Sequence, residues 1–141
     1  MCSYARNKKK PTRPLVAWVG LLLAFFTACS NSPTPEELAS EAAKNYYRQL
    51  AAGQYEQFLD GRAGADSLHS DYREQLLVAY KQFVAQQQAT HRGIREVRIM
   101  NARADSLQGC TNVFLVLCFG DSTNEEIVVP MVERGQRWLM K

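Results

Sequence analysis

Four cysteines and two histidines are the side chains of this 141-residue chain best able to hold a metal or form a covalent link. His69 and His91 stand alone, with no Cys or His at ligand spacing around either, so neither a metal nor a cofactor is expected. Cys110 and Cys118 end one apolar run, Cys110-Thr111-Asn112-Val113-Phe114-Leu115-Val116-Leu117-Cys118. As a strand, that run would hold its ends roughly 26 Å apart. A disulfide needs alpha carbons within about 7 Å. Two free thiols are therefore expected, with Cys118 in the core as a small hydrophobe. Cys29 differs from the other three. It follows Leu22-Leu23-Ala24-Phe25-Phe26-Thr27-Ala28 and precedes Ser30-Asn31-Ser32-Pro33, while Arg6, Lys8, Lys9, Lys10 and Arg13 lie ahead of the apolar run. A basic region, an apolar stretch and a small-residue cut site are the parts of an export signal.

Phe26-Thr27-Ala28-Cys29 resembles the bacterial lipobox, with Phe26 where that motif carries an aliphatic residue. The resemblance implies that Cys29 becomes the lipidated first residue of a mature lipoprotein carrying three acyl chains. The apolar span from Leu15 to Ala28 is short of the ~20 residues that cross a bilayer, which favours a cleaved signal over a retained anchor. Each buried methylene of a lipid adds about 0.8 kcal/mol, and more than one chain makes an anchor stable. Ser30 follows the cysteine where an aspartate holds many such lipoproteins at the inner membrane. With no acidic cluster directly after Cys29, the expected place is the outer membrane, facing the periplasm. The chain thus divides into a signal peptide over 1–28, a lipidated tether over 29–33 and one domain over 34–141.

The five basic residues of the signal leave without any acidic one, so the formal charge of +3 falls to about −2 in the mature chain. Nucleic acid is an unsuitable partner for that balance, because phosphate binding wants clustered Lys and Arg on the folded domain. Arg92, Arg95, Arg98 and Arg103 form only a loose group, read as a solvated strand face. The 113 mature residues suffice for one small domain.

Thr34-Pro35-Glu36-Glu37 is a helix start, with Thr34 as cap, Pro35 at the first position and Glu37 completing a capping box. Leu38, Ala42, Tyr46 and Leu50 then share a face up to Gly53. Tyr55 to Leu59 forms a short amphipathic turn or helix ended by Asp60-Gly61. The spacing of Leu68, Tyr72, Leu76, Tyr80 and Phe83 predicts a longer helix over 67–91, closed by Gly93. Beyond Gly93 the period shortens to that of strands. Ile94 to Ala104 changes parity between Ile99 and Met100, which predicts a bulge. Thr111–Phe119, Glu125–Glu133 and Arg137–Lys141 follow with short turns between them, the pattern of an antiparallel meander. Pro130 cannot donate to a ladder, so it requires a bulge or an edge. Trp138 is expected to anchor the closing strand in the core.

Helices followed by four antiparallel strands make an α+β domain, a curved sheet wrapping a long helix. Ala42-Ala43-Lys44-Asn45-Tyr46-Tyr47-Arg48-Gln49-Leu50, Gly53-Gln54-Tyr55-Glu56, Gly93-Ile94-Arg95-Glu96-Val97 and Gly135-Gln136-Arg137-Trp138-Leu139-Met140 resemble segments of the small lipoprotein domains known as DUF 4878. Gln54 replaces an acidic residue of that family's turn. The resemblance covers about residues 34 to 141 and implies the cone-shaped fold of nuclear transport factor two, the SnoaL cyclases and ketosteroid isomerase, within a cystatin-like superfamily. It implies a pocket lined by Tyr46, Tyr80, Phe83, Phe114 and Trp138.

Cone enzymes place acid and base groups inside the pocket, and Tyr46, Tyr47, Tyr80, Asp60 and Asp71 are the candidates here. Tyr46 and Tyr80 sit at core spacing, and Asp60 beside Gly61 suits a turn. The residues therefore favour a noncatalytic envelope lipoprotein that binds a small apolar ligand, a peptide or another envelope protein. The competing expectation is a cone-fold isomerase or cyclase acting on a small organic substrate. An Asp or His deep in the pocket beside a tyrosine hydroxyl would distinguish it.

Overall fold

The computed structural model describes residues 31–141. The signal peptide expected over 1–28, in which the fourth cysteine, Cys2, falls, and the expected lipidation site Cys29 lie outside the described residues. The first helix, α1, spans Pro35–Ala51. Its start is a complete capping box: the Glu37 N–H donates to Thr34 Oγ1 at 3.2 Å, and the Thr34 N–H donates to Glu37 Oε2 at 2.8 Å. Gly53, at φ 78°, turns the chain into α2, Tyr55–Asp60. A single 3-10 turn, Ala65–Ser67, precedes α3, Ser70–His91.

Four strands follow, β1 (Ile94–Asp105), β2 (Cys110–Phe119), β3 (Asn124–Arg134) and β4 (Arg137–Met140). They form one antiparallel sheet in the order β1-β2-β3-β4. Each neighbour is joined by a short turn, as the meander pattern requires. β1 carries two register shifts, one between Ile94 and Glu96 and one between Ile99 and Asn101. The second falls at the parity change in the sequence, and it lets Ile99 and Ala102 both pack on the core.

β2 is the centre of the domain. Val113, Leu115, Leu117 and Phe119 point to one face and meet Val97, Val129, Met131 and Met140 from the other strands. α1 lies across that face, touching all four strands. It can approach closely because Ala39 and Ala43, both fully buried, put only a methyl group between helix and sheet. The long helix inside the curve of the sheet is thus α1.

The third helix departs from expectation. It begins at Ser70, because the Ser67 hydroxyl donates to the Gly64 carbonyl and closes a separate turn, after which Leu68 is extended. None of its 22 residues is fully buried. Leu76, Tyr80, Phe83, Val84 and His91 form a half-buried stripe, and Tyr72 is exposed. The spacing does mark one helical face, but the sheet is already covered by α1, so that face meets only the margin of the core. The described helices include none long and apolar enough to cross a membrane.

Both described thiols are free, and the buried one is Cys110. Cys118 lies on the outer face of β2, half-exposed, with the Arg98 Nε–H donating to its sulfur at 3.2 Å. Odd-numbered residues of β2 face the core, which turns Cys118 out.

Pro130 sits on β3 opposite Asn112 without a bulge. Its carbonyl accepts from the Lys141 N–H at 2.8 Å, so its nitrogen also faces away from β2. The regular β4 pairing reaches Met131, opposite Met140, and the missing amide of Pro130 removes no bond to β2.

Candidate functional site

The candidate site is a cleft of about 270 Å³ lined by Tyr47 of α1, Phe58 of α2, Arg62, Tyr80 of α3, and β3 and β4 residues that include Val128, Val129 and Met140. Its wall is an aromatic relay. Tyr47 meets Phe58 edge-to-face with centroids 5.4 Å apart, and Phe58 meets Tyr80 likewise at 4.9 Å. Arg62 Nη1 donates to the Tyr80 hydroxyl at 3.3 Å, bringing a cation to an otherwise aromatic wall. Burial, and next the neighbouring Tyr80, pushes the Tyr47 phenol above its ordinary value, with Arg62 acting in the opposite sense. Tyr47 is therefore a protonated donor at neutral pH.

Long-range pairing places Arg62. The Met140 N–H donates to the Gly61 carbonyl at 2.8 Å, and the Ala63 N–H donates to the Met140 carbonyl at 2.7 Å. The loop after α2 thus runs beside β4 and covers its outer edge. Gly61 is required there, since a Cβ would stand 2.5 Å from two ring carbons of Tyr46. No local signal in the sequence marks Arg62 as a site residue; its position follows from this pairing alone.

The five residues expected to line a pocket do not share one place. Tyr80 lines the cleft. Tyr46 packs against the core, and its hydroxyl donates to the Trp138 carbonyl at 2.8 Å. Phe83 is half-buried against the core margin, outside the cleft. Trp138 also packs on the core and borders a different groove, beside Cys110 and the β1–β2 turn. Phe114 is on the outer face of β2, because its odd-numbered neighbours take the core face. Of the acid–base candidates, Asp60 is paired with Arg73 at 2.8 Å, and Asp71 is exposed on the first turn of α3. Among the described residues no cluster of three or more Cys, His, Asp or Glu is arranged to hold a metal. A larger groove of about 620 Å³ runs between α1 and β1, but its lining includes Lys44, Asn45, Arg48, Gln49, Arg95 and Glu96 and lacks an aromatic wall.

No protein-family model matches the chain, and no curated protein matches it. Among solved structures, a Campylobacter jejuni protein described as a candidate NTF2-like transpeptidase aligns with a TM-score of 0.58 at 12% identity, over 71% of this chain and 94% of that one. The fold is NTF2-like. The expected α+β cone, with helices set on a curved four-stranded antiparallel sheet, is the observed architecture. In this NTF2-like domain the cleft lies between Tyr80 of α3 and the Val128, Val129 and Pro130 stretch of β3, with Met140 of β4 in its lining.

A second polar cluster fastens the far end of α3. His91 Nδ1 lies 2.8 Å from Asp121 Oδ2, and Asp121 Oδ1 accepts from the Thr123 hydroxyl at 2.6 Å and from the Thr123 N–H at 3.0 Å. The imidazole also stacks on Phe119 at 4.9 Å. Thr123 and then His91 hold the Asp121 carboxyl down at about 2. A depressed folded-state value means that the unfolded chain binds this proton more tightly. The stabilisation is complete above the ordinary carboxylate value of about 4 and is lost as pH falls towards 2. Urea midpoints between about pH 5 and 2 should therefore fall more steeply for wild type than for Asp121→Asn. Parallel curves would remove this clamp from the account.

Proposed function

We propose that this NTF2-like domain is the noncatalytic binding module of a small envelope lipoprotein of the DUF 4878 kind. Cys29 anchors it by lipid at the outer membrane, facing the periplasm, and the cleft takes a small apolar ligand or a segment of another envelope protein. The observation that carries this reading is the composition of the cleft against the fate of the acid–base candidates. Three aromatic rings and one guanidinium face the cavity, whereas Asp60 is held in a surface ion pair and the Tyr46 hydroxyl is committed to a backbone carbonyl. Such a wall, with Arg62 and Lys141 as its charged members, offers apolar area beside orienting charge, the usual plan of a ligand site.

A cone-fold enzyme is the second reading, favoured by Tyr47. A buried, protonated phenol could donate to a developing oxyanion. It would still need a base: Asp60 and Asp71 are placed elsewhere, and the carboxylate whose charge acts on Tyr47 is Glu125, exposed near the start of β3. A transpeptidase activity like that in the Campylobacter protein's description would need a nucleophile, and Cys110 and Cys118 both lie away from the cleft.

One fractionation experiment tests the reading. Wild type should sediment with the outer membrane and Cys29→Ser should not. Protein extracted from that membrane should carry a bound molecule or partner by native mass spectrometry, and Tyr80→Ala should lose it. Equal membrane retention of Cys29→Ser removes the anchor, and equal loading of Tyr80→Ala removes the cleft.

A further inference from the structure

The fold leaves a cation unused at the mouth of the aromatic cleft. Arg62 is exposed there, donates from Nη1 to the Tyr80 hydroxyl and forms no ion pair among the described residues. The other charged member of the lining, Lys141, sends its ammonium to the Gln108 carbonyl at 3.1 Å. Arg73, where α2 meets α3, is satisfied by both Glu56 and Asp60. Arg62 therefore keeps its charge and most of its donors for a group outside the chain. Two phenols add donors beside it. Because the Tyr80 oxygen accepts from Arg62, its own proton is left to donate. The Tyr47 hydroxyl is protonated and has no hydrogen-bond partner among the described residues. Phe58 packs edge-on against both phenol rings, so the donors share one apolar wall.

One carboxylate opposes this arrangement. Glu125 acts on Tyr47 from near the start of β3, but it is exposed, lies outside the cleft lining and acts there less strongly than Arg62. It also stands at the other end of the strand. Arg62 bridges to Met140, which pairs with Met131, and the stretch from Glu125 to Met131 covers roughly 20 Å. The cleft is thus polarised, cationic towards Arg62 and anionic towards Glu125.

We propose that the ligand of this cleft is a small organic monocarboxylate, its acid group held by Arg62 with the Tyr80 and Tyr47 hydroxyls and its apolar body against the rings. This rests on the binding reading above and names its ligand class. Donors that converge beside aromatic faces suit a molecule with a charged acceptor at one end and an apolar remainder. A volume of about 270 Å³ equals roughly nine water molecules, so the enclosed part is one ring or a short chain. A single negative charge suits one guanidinium, whereas a phosphate dianion would find no second uncommitted cation in the lining.

The probe is para-fluorohydrocinnamate, titrated against the full chain in detergent micelles and read by fluorine NMR relaxation, with the signal from empty micelles subtracted. The corresponding alcohol keeps the ring and loses the charge. The acid should bind about tenfold or more tighter than the alcohol. Arg62→Gln should abolish that preference and leave the alcohol within about threefold of its wild-type affinity. Arg62→Lys, which restores a point charge without the planar fork, should keep a preference of about threefold or more.

No binding of the acid, equal affinity for acid and alcohol, tighter binding of the corresponding amine, or an acid preference that survives Arg62→Gln would each overturn the monocarboxylate. If those results came while Tyr80→Ala still lost its bound molecule, the cleft would remain a ligand site and only the acid class would fall. If Tyr80→Ala also changed nothing, the binding reading would fall with it.

Discussion

Gly61→Ala should lower the melting midpoint by about 10 °C, although the new side chain is one methyl group and Gly61 has an ordinary negative φ of −75°. The cause is a collision with an aromatic ring that has nowhere to go. A Cβ on Gly61 would stand 2.5 Å from Cδ1 and Cε1 of Tyr46. The ring is held at its far end by the hydroxyl bond to Trp138, and the Gly61 carbonyl is held by the Met140 N–H. Relief must therefore break one of these bonds or push β4 from the helix layer. Overpacking of this kind costs about 1–3 kcal/mol, and each kcal/mol moves the midpoint of a domain this size by roughly 4–8 °C. The collision can be separated from any backbone effect. Tyr46→Leu alone should destabilise, but Gly61→Ala added to it should cost little, giving a coupling of about 1 kcal/mol or more. Additive losses in that thermal double-mutant cycle would show that the ring is not what Gly61 protects.

Leu115→Ala should remove about 3–5 kcal/mol by guanidinium denaturation, out of a total that for small domains runs about 5–15 kcal/mol. Leu115 is fully buried on the central strand, flanked by Ile99 on β1 and Ile127 on β3, on the face that α1 covers. Neighbours on both sides are fixed by ladder hydrogen bonds, so little collapse into the vacated volume can occur. Phe114→Ala provides the contrast. It removes a larger side chain one position away, yet from the half-exposed outer face, and should cost clearly less than Leu115→Ala. A reversed order would overturn the assignment of the two faces.

The local grammar of the chain was legible without coordinates. Thr34 and Glu37 form the capping box their spacing implies, and Gly53 turns the chain after α1. The change of period after Gly93 marks the sheet, and the parity break near Met100 is a bulge. Pro130 sits on the interior strand β3 without the expected bulge or edge, and it is tolerated because its nitrogen faces away from β2. The other features depend on interactions within a few residues, or on a backbone restriction carried by one residue type, and those are written directly in the order of side chains.

The site was not legible in the same way. A strand's alternation gives two faces but not which one is buried, so Phe114 and Cys118 could be assigned inward until α1 was seen against Leu115 and Leu117. Helical spacing marked a stripe on α3, yet the depth of its burial depended on another helix already occupying the sheet. Arg62 reaches Tyr80, and Phe58 joins Tyr47 to Tyr80, only because the loop after α2 pairs with a strand nearly 80 positions later. The cleft brings Tyr47, Phe58 and Tyr80 of three helices to Val128 and Val129 of β3. Those relations join residues far apart in the chain through shape and backbone pairing, and only the tertiary structure decides them.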